Sequence, residues 1–405
     1  MSSSPFASQH RAQVPSQSCT MAARHCLSWA DFQPELLGLI VGRLPLADRV
    51  RFGAVCRPWR RAARQEPLPP PLPWLNLPDG TFLSVPGGEI HRMPVPEDAV
   101  CHGSVGSWLF LERSSGEFSL VNPFSGDAVR FPEQSDSGLP GHPISFKLVL
   151  LSTQEDLSPD FPFAVLTITS CFEAAISFCR LRDASATTFT VPDRDRICDV
   201  GFFDGKLYAL SPSKLYAIEP GSSSKGEPTA TVPHIERIVD AVDNPGLICR
   251  SIAGESHVCV YWGYLAESSG KVLQVRRLIG CLSTLPANER VKHSRTLSFE
   301  VFEADLSATG SGVRWRRVGD LGGRALFVSR QSLRSLPASE CGAREDCIYF
   351  VCDYNDDDDT ADPTRDCGVF DMRSAVITPL LPDTVVVRPQ GCKGRPAWFS
   401  PTKTM

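Results

Sequence analysis

The sequence predicts an α+β multidomain protein, with a short N-terminal three-helix segment followed by a larger all-β domain. Apolar residues recur at helical spacing between residues 29 and 64, whereas beyond residue 78 the apolar runs are short and bounded by turns. The β part also repeats one plan about every 50 residues, which is the scale of a propeller blade. We therefore predict a β-propeller of about six blades, with an irregular β-sandwich as the alternative.

Composition and charge narrow the class of protein. The chain has 405 residues, of which 42% are hydrophobic and 21% charged, and its net charge is −5. This charge argues against a general nucleic-acid binder, and no apolar run approaches the roughly 18 residues of a membrane-spanning helix. Fifteen cysteines, an odd number without any C-x-x-C pair, are typical of reduced thiols in the cytoplasm or nucleus.

The first 26 residues differ from the rest of the chain. They are rich in Ser and Gln, contain no acidic residue and lack periodic apolar positions. We predict a disordered tail over residues 1–26. An organellar transit peptide is the weaker alternative for the same composition.

Residues 27–66 contain the three predicted helices. The first begins at Pro34, whose missing N–H costs nothing in a first turn, and Glu35 suits the positive end of the helix dipole. The second is predicted from Leu46 to Val55, and the third begins at Pro58. The apolar arc of the first helix is wider than the roughly 100° that one packed face requires, which favours docking onto a partner's helices. That arc contains Leu36, Leu37, Leu39, Ile40, Val41 and Leu44.

The order of these motifs resembles an F-box, the segment that binds the Skp-type adaptor of a cullin ubiquitin ligase. The matching motifs are PELL (34–37), RLP (43–45) and AVCRPWR (54–60). Phe32 and Gln33 stand where F-boxes usually have Leu-Pro, and Pro58 replaces a small polar residue. A plain three-helix packing or DNA-binding element is the alternative. The resemblance implies adaptor contacts at Phe32, Pro34, Glu35, Leu36, Leu37, Ile40, Leu44, Pro45, Val55 and Trp59.

Arginines dominate the charge of the same segment. Seven arginines between residues 43 and 64 are accompanied by a single acid, Asp48. A solvated helical surface is the simpler interpretation. The alternative is complementarity to an acidic partner, which would raise the association rate more than the affinity.

Residues 67–77 are predicted to be a Pro-rich spacer, because each proline fixes φ and removes a backbone donor. The β domain is predicted over 78–400 and starts with a Pro-Asp-Gly turn. The clearest hairpin has Asp204-Gly205 between two apolar runs. Strands are predicted at 107–112, 118–124, 145–151, 163–169, 175–181, 201–210, 214–219, 257–265, 272–279, 299–305, 325–330, 346–354, 367–372 and 375–380.

The wider resemblance covers nearly the whole chain from Trp29 onward. The motifs LVNPFSG, DVGFFDGKLYAL, GVFDM and PAWFSP, placed after an F-box, are similar to those of a plant F-box family. The C-terminal domain of that family was long catalogued as of unknown function and is now treated as a β-propeller. This resemblance identifies a family and leaves the substrate open.

Motifs for catalysis or metal binding are missing from the sequence. It contains no G-x-S-x-G, H-E-x-x-H, P-loop or dinucleotide fingerprint. Cys347 and Cys352 fall in one predicted strand and would point to opposite faces, which favours a structural role for them and for Cys341 and Cys367 over zinc binding. The acidic run 353–359 lacks the Gly and Glu of an EF-hand and is predicted to be a solvated loop. We therefore predict no catalytic residue, no cofactor and no metal.

Three functions are compatible with these observations. The first is a non-catalytic substrate receptor that binds the Skp-type adaptor and cullin scaffold and recruits an unknown protein substrate. The second is an interaction or regulatory protein whose F-box no longer engages the ligase, which the altered Phe32-Gln33 pair and the helix glycines Gly38 and Gly42 favour. A propeller enzyme is the third and is disfavoured by the missing motifs. We expect neither nucleic acid nor membrane as a partner.

Overall fold

The computed structural model divides the chain into two compact units, Met1–Pro67 and Leu68–Met405. The predicted tail and Pro45 lie outside the residues that the structure describes. Those residues are 32–42, 44, 52–65, 72–77, 80–85, 89–92, 96, 98–106, 108–124, 126–131, 143–151, 161–169, 171, 173–180, 183, 186–190, 196–219, 233–242, 246–306, 314–354, 364–381 and 395–400.

The first unit is helical. Helix α1 spans Pro34–Gly42 and helix α2 spans Arg57–Gln65, and residues 52–55 between them are also helical. The rest of the predicted second helix lies outside the described residues. A small apolar core holds the unit together, in which the rings of Phe52 and Trp59 stack with centroids 4.2 Å apart. The buried members of this core are Leu37, Val41, Phe52 and Ala62.

The second unit is built from six β-sheets, here called blades 1 to 6. Blade 1 contains β1 Trp74–Asn76, β2 Thr81–Leu83, β3 Ile90–Arg92 and the C-terminal strand β26 Ala397–Phe399. Blade 2 contains β4 Ala99–Val105, β5 Trp108–Arg113, β6 Phe118–Val121 and β7 Ala128–Arg130. Blade 3 contains β8 Pro143–Leu150, β9 Pro162–Thr169, β10 Ala174–Arg180 and β11 Thr187–Phe189.

The other three blades complete the set. Blade 4 contains β12 Asp199–Phe203, β13 Lys206–Leu210, β14 Lys214–Glu219 and β15 His234–Asp240. Blade 5 contains β16 Leu247–Ile252, β17 Glu255–Ser268, β18 Lys271–Leu282, helix α3 Ala287–His293, β19 Arg295–Ala304 and β20 Trp315–Val318. Blade 6 contains β21 Arg324–Val328, β22 Leu333–Pro337, helix α4 Ala338–Cys341, β23 Cys347–Phe350, β24 Gly368–Asp371 and β25 Val376–Pro379.

Six apolar cores close these blades into a ring. Each core is shared by two neighbouring blades, and together they cover the pairs 1–2, 2–3, 3–4, 4–5, 5–6 and 6–1. A β-sandwich would have one core between two sheets. The structure is therefore a six-bladed propeller arrangement.

The central strands of the blades are buried on both faces. In β13, Leu207 and Ala209 pack against blade 3, whereas Tyr208 and Leu210 pack against blade 5. Successive side chains of a strand point to opposite faces, so both sets must be apolar. This explains why the blade strands read as continuous apolar runs in the sequence.

The strands predicted from apolar runs are present, with boundaries that differ by a few residues. The predicted hairpin turn is confirmed, because Phe203 pairs with Lys206 and both turn residues have positive φ, 46° at Asp204 and 78° at Gly205. Several short outer strands, such as β3 and β7, were missed because few of their residues are buried. Strand β1 lies inside the segment predicted as a spacer, so the packed domain begins before residue 78.

Asp346 links the start of β23 to the turn before β21. Its carboxylate, buried with 1% of the side chain exposed, accepts hydrogen bonds from the backbone N–H groups of Leu321 (2.8 Å) and Gly323 (3.1 Å) and pairs with Arg373. Burial raises the pKa of Asp346, but the two N–H groups and the Arg373 guanidinium together lower it below its usual 3.8.

We expect Asp346→Asn to lower the free energy of unfolding by about 1.5–3 kcal/mol at pH 7, as for other hydrogen bonds to charged groups. A depressed pKa stabilises the fold above the unfolded-state pKa and loses that effect as the pH falls. The difference between variant and wild type should therefore shrink as the pH falls below about 4. Urea unfolding at pH 7, 5 and 3 measures it, and a difference independent of pH would contradict the assignment.

Candidate functional site

An exposed apolar surface lies on helix α1. Leu36, Leu39 and Ile40 are 44%, 59% and 37% exposed, and their spacing of three and four residues places them on one side of the helix. We call these three residues the α1 face. Val55, in the helical residues 52–55, is 62% exposed as well. These large apolar side chains are not needed for the core of the unit, so they are available to a partner.

The other predicted contact residues that the structure describes fall into three groups. Pro34 and Glu35 are exposed. Leu37 is buried in the core with 1% exposed. Partly buried side chains that pack against this core are Phe32, Leu44 and Trp59.

Helix α1 thus has one apolar side turned inward and another turned outward. Leu37 and Val41 form the inward side, and Leu36 with Ile40 forms the outward one. Leu44, one of the contacts that the F-box resemblance implies, packs against the core and does not belong to the α1 face. Leu39, absent from the predicted contact set, belongs to the α1 face. The sequence showed that Leu39 is apolar, but it did not show that its side chain faces away from the core.

The second candidate site is the central channel of the propeller. It encloses a cavity of about 880 Å³ lined by residues of β4, β8, β12 and β17 and by residues 331–336 at β22. Apolar side chains such as Val149 and Phe202 share this lining with polar ones such as Gln331. Such a cavity has the size of a ligand pocket.

A buried ion pair joins three blades beside this channel. Lys147 of β8 contacts Asp199 of β12, and the same carboxylate accepts a hydrogen bond from the backbone N–H of Leu265 in β17 at 2.7 Å. Burial raises the pKa of Asp199, although the Lys147 ammonium and the hydrogen bonds act in the opposite direction. The pair therefore fixes the inner strands of blades 3, 4 and 5 to one another.

A second buried network joins blades 5 and 6. The Arg277 side chain is fully buried and donates to Asp353 at 3.0 Å and to Asp366 at 2.9 Å. Its Nε donates to Thr296 Oγ1 at 2.8 Å, and the Tyr264 hydroxyl donates to Asp353. Asp353 had been predicted to begin a solvated loop. That prediction is wrong for Asp353, which is 0% exposed, and residues 355–359 lie outside the described part of the chain.

The cysteine cluster of blade 6 is a packing feature. Cys341, Cys347 and Cys352 are buried, and burial raises the pKa of each thiol. A protonated buried thiol is a poor nucleophile and a poor metal ligand. The prediction that Cys347 and Cys352 share a strand is wrong, because β23 ends at Phe350. The described residues contain no group of three or more His, Cys, Asp or Glu positioned to hold a metal ion.

Comparison with protein families identifies both units. Residues 29–70 match the F-box domain, and residues 82–371 match the KIB1-4 β-propeller. The chain belongs to the KIB1-4 β-propeller family. The resemblance to a plant F-box family with a C-terminal propeller is confirmed by these matches and by the relatives below.

The curated relatives match this KIB1-4 propeller protein over short regions. An F-box protein of Arabidopsis thaliana is 30% identical over 106 residues, which cover 24% of this chain and 29% of the relative. A putative F-box protein of the same plant is 26% identical over 121 residues, covering 26% and 31%. The chain thus matches about a third of the length of these relatives.

Solved structures add no further argument. An apocarotenoid oxygenase of Synechocystis aligns over 73% of this chain and 64% of its own, at 11% identity and a TM-score of 0.30. These values are too low to support an inference about the KIB1-4 propeller or its ligands.

Proposed function

We propose that this protein is a substrate-receptor subunit of a Skp–cullin–F-box ubiquitin ligase. The observation that carries the proposal is the α1 face, where large apolar side chains are exposed on a helix of the F-box. Burial of such side chains against a partner is favourable by about 25 cal/mol per Å² of apolar surface. A Skp-type adaptor, bound in turn to the cullin scaffold, is the partner that fits an F-box.

The propeller is proposed to hold the target protein. A receptor of this kind performs no bond chemistry and instead raises the concentration of substrate lysines near the ubiquitin thioester. The twelve cysteines within the described residues are all free thiols, and the described helices include none long and apolar enough to cross a membrane. We place the protein in the cytoplasm, the nucleus or both, where thiols stay reduced.

The proposal is tested by the double variant Leu36→Ala with Ile40→Ala in the full chain. Both side chains are half-exposed, so their truncation removes contact surface without opening the core. Loss of this burial should cost about 2–3 kcal/mol of binding free energy, or roughly a 30- to 150-fold loss of adaptor affinity. Titration of purified adaptor paralogues onto immobilised protein measures that loss.

The matched control is Leu247→Ala, which shortens a 71% exposed leucine of the propeller and should leave adaptor affinity unchanged. Circular dichroism verifies that the helical unit of the double variant stays folded. Unchanged affinity of the double variant would remove the α1 face from the interface. A wild-type chain that binds none of the adaptors would favour the regulatory alternative.

A further inference from the structure

The cavity in the central channel has a buried end and an exposed end. Along β12 the exposure of its lining increases from the buried Val200 through the half-buried Phe202 to the exposed Asp204 at the hairpin turn. We call the end at this turn the mouth of the channel. Four of the buried lining residues are polar, namely Ser104, Lys147, Gln331 and Ser332. A ligand that enters from the mouth would therefore pass apolar side chains before it reaches these polar groups.

Gln331 is a buried amide whose hydrogen-bonding capacity is not used up. The residue is 6% exposed, and its Oε1 has no hydrogen-bond partner within the part of the chain that the structure describes. Its backbone is fixed, because Ser329 Oγ donates to the Ser332 carbonyl at 2.9 Å and a Cβ on Gly103 of β4 would lie 2.7 Å from the Gln331 Cβ. The amide itself can still turn about its broad terminal torsion. A buried acceptor without a donor is costly, so a donor supplied by a ligand would be favourable here.

Lys147 offers the complementary groups in the same cavity. Its ammonium carries three N–H donors, and among the described residues its one partner is the carboxylate of Asp199. The Lys147 side chain is 9% exposed and belongs to the cavity lining. Lys147 can therefore donate to an acceptor on a ligand while it keeps its ion pair with Asp199.

The charges around the cavity favour an uncharged ligand. Lys147 and Arg334 are the cations of the lining, and Asp204 and Glu267 are its acids. Asp199, paired with Lys147, adds a third carboxylate. An anion would enter a site with one more negative charge than positive charges, and a cation would meet the Lys147 ammonium at the buried end. Either charge would lose water without a free counter-charge.

We propose that the channel binds a neutral small molecule with an apolar body and a polar end that both donates and accepts hydrogen bonds. The polar end, such as a carboxamide, donates to Gln331 Oε1 and accepts from Lys147 Nζ. The apolar body packs against the half-buried side chains of Val149, Phe202 and Leu333, which lose water on binding. The cavity volume of about 880 Å³ lies within the range of small-molecule pockets. Binding in the channel goes beyond the proposed ligase function and does not depend on the adaptor.

Three aromatic probes of similar size test the proposal on the full chain. 2-Naphthamide carries a carboxamide, 2-methylnaphthalene has no polar group, and 2-naphthoate carries a negative charge. Saturation-transfer difference NMR gives the dissociation constant of each probe. 2-Naphthamide should bind about fivefold more tightly than 2-methylnaphthalene, which is the usual gain from one net hydrogen bond. 2-Naphthoate should bind more weakly than 2-naphthamide.

Gln331→Met removes the amide and keeps the Cβ and the length of the side chain. It should weaken 2-naphthamide binding about fivefold and leave 2-methylnaphthalene binding unchanged. A change in the fold would weaken both probes alike, so the ratio of the two dissociation constants reports the hydrogen bond itself. The control Gln65→Met makes the same substitution at an exposed position of α2 and should keep the wild-type ratio.

The stability of the variant gives a second readout. Gln331→Met removes a buried acceptor that has no donor, so its thermal unfolding temperature should be at least that of the wild type. A less stable variant would mean that the amide is already hydrogen-bonded inside the protein, and the proposal would fail. It would fail as well if 2-naphthoate bound more tightly than 2-naphthamide, if Gln331→Met kept the wild-type ratio, or if 2-naphthamide did not bind up to its solubility limit.

A peptide segment is the other occupant that the channel could take. N-acetylphenylalaninamide, a neutral peptide fragment of similar size, serves as its probe. Tighter binding of this fragment than of 2-naphthamide would assign the channel to a protein segment and overturn the proposal, whereas equal or weaker binding supports a small molecule. The double variant Leu36→Ala with Ile40→Ala should bind 2-naphthamide as the wild type does, which separates this test from that of the adaptor contact.

Discussion

Trp398→Ala is expected to lower the free energy of unfolding of the propeller by about 3–5 kcal/mol, the usual effect of deleting a buried aromatic side chain. Trp398 is 1% exposed and packs in the core between blades 1 and 6. Its Nε1 donates to the carbonyl of Val328 at 3.1 Å in blade 6. On the other side, Ser104 Oγ of blade 2 donates to the Trp398 carbonyl at 2.6 Å.

The size of this effect follows from the way the ring closes. β26 is the last strand among the described residues, and it pairs with β1, the first strand of the same blade. A residue of β26 therefore connects the two ends of the domain and contacts both neighbouring blades. Weakening this strand should loosen the closure of the whole ring.

Urea unfolding monitored by near-ultraviolet circular dichroism measures the loss. Trp398→Phe keeps most of the buried ring but leaves the Val328 carbonyl without its donor, so it should lie between wild type and Trp398→Ala. The control Val376→Ala shortens a 51% exposed side chain and should change stability by no more than about 0.5 kcal/mol. Wild-type stability of Trp398→Ala would mean that β26 does not close the ring.

Arg277→Met is the second large effect we expect, with a loss of about 3–5 kcal/mol in the free energy of unfolding. The substitution preserves an apolar stem but leaves the carboxylates of Asp353 and Asp366 buried without their cation. Asp353 follows β23 and Asp366 precedes β24, so the loss of their cation would also weaken the contact between blades 5 and 6. Buried carboxylates that lose their partner are far more destabilising than a lost surface ion pair.

A variant that lacks all three charges shows whether the stability loss comes from the missing ion-pair attraction or from carboxylates left buried without a cation. Arg277→Met combined with Asp353→Asn and Asp366→Asn removes all three charges, and it should recover part of the stability lost in Arg277→Met. Calorimetric unfolding of the two variants and the wild type makes the comparison. If the triple variant is no more stable than Arg277→Met, the unpaired carboxylates of Asp353 and Asp366 are not the cause of the lost unfolding free energy.

The locally encoded features were predictable from the sequence. The Asp204-Gly205 turn needs two residues with positive φ, and Asp and Gly adopt positive φ more readily than most residues do. The hairpin could therefore be predicted from this short motif and its apolar flanks. The blade strands were evident because both faces of a central strand are buried and its residues are apolar throughout. Motif order alone predicted the F-box and the family.

The features that depend on distant parts of the chain were not predictable. Arg277 and Asp353 are separated by 76 positions, and Asp353 looked like one more acid in an acidic run. Strand β26 has three residues, too few for a period, and its partner lies at the other end of the domain. The short helix α3 and the parallel pairing of β21 with β23 escaped prediction for similar reasons.

By itself the sequence determined an F-box followed by a propeller of about six repeats, because turns and apolar runs are properties of neighbouring residues. Only the tertiary structure decided that Leu36, Leu39 and Ile40 face outward while Leu37 faces the core. Both sides of that helix are apolar, so its periodicity does not distinguish the side that meets its own core from the one left to a partner. The same holds for charge, since only folding brings Asp353 of the acidic run into the buried ion pair with Arg277.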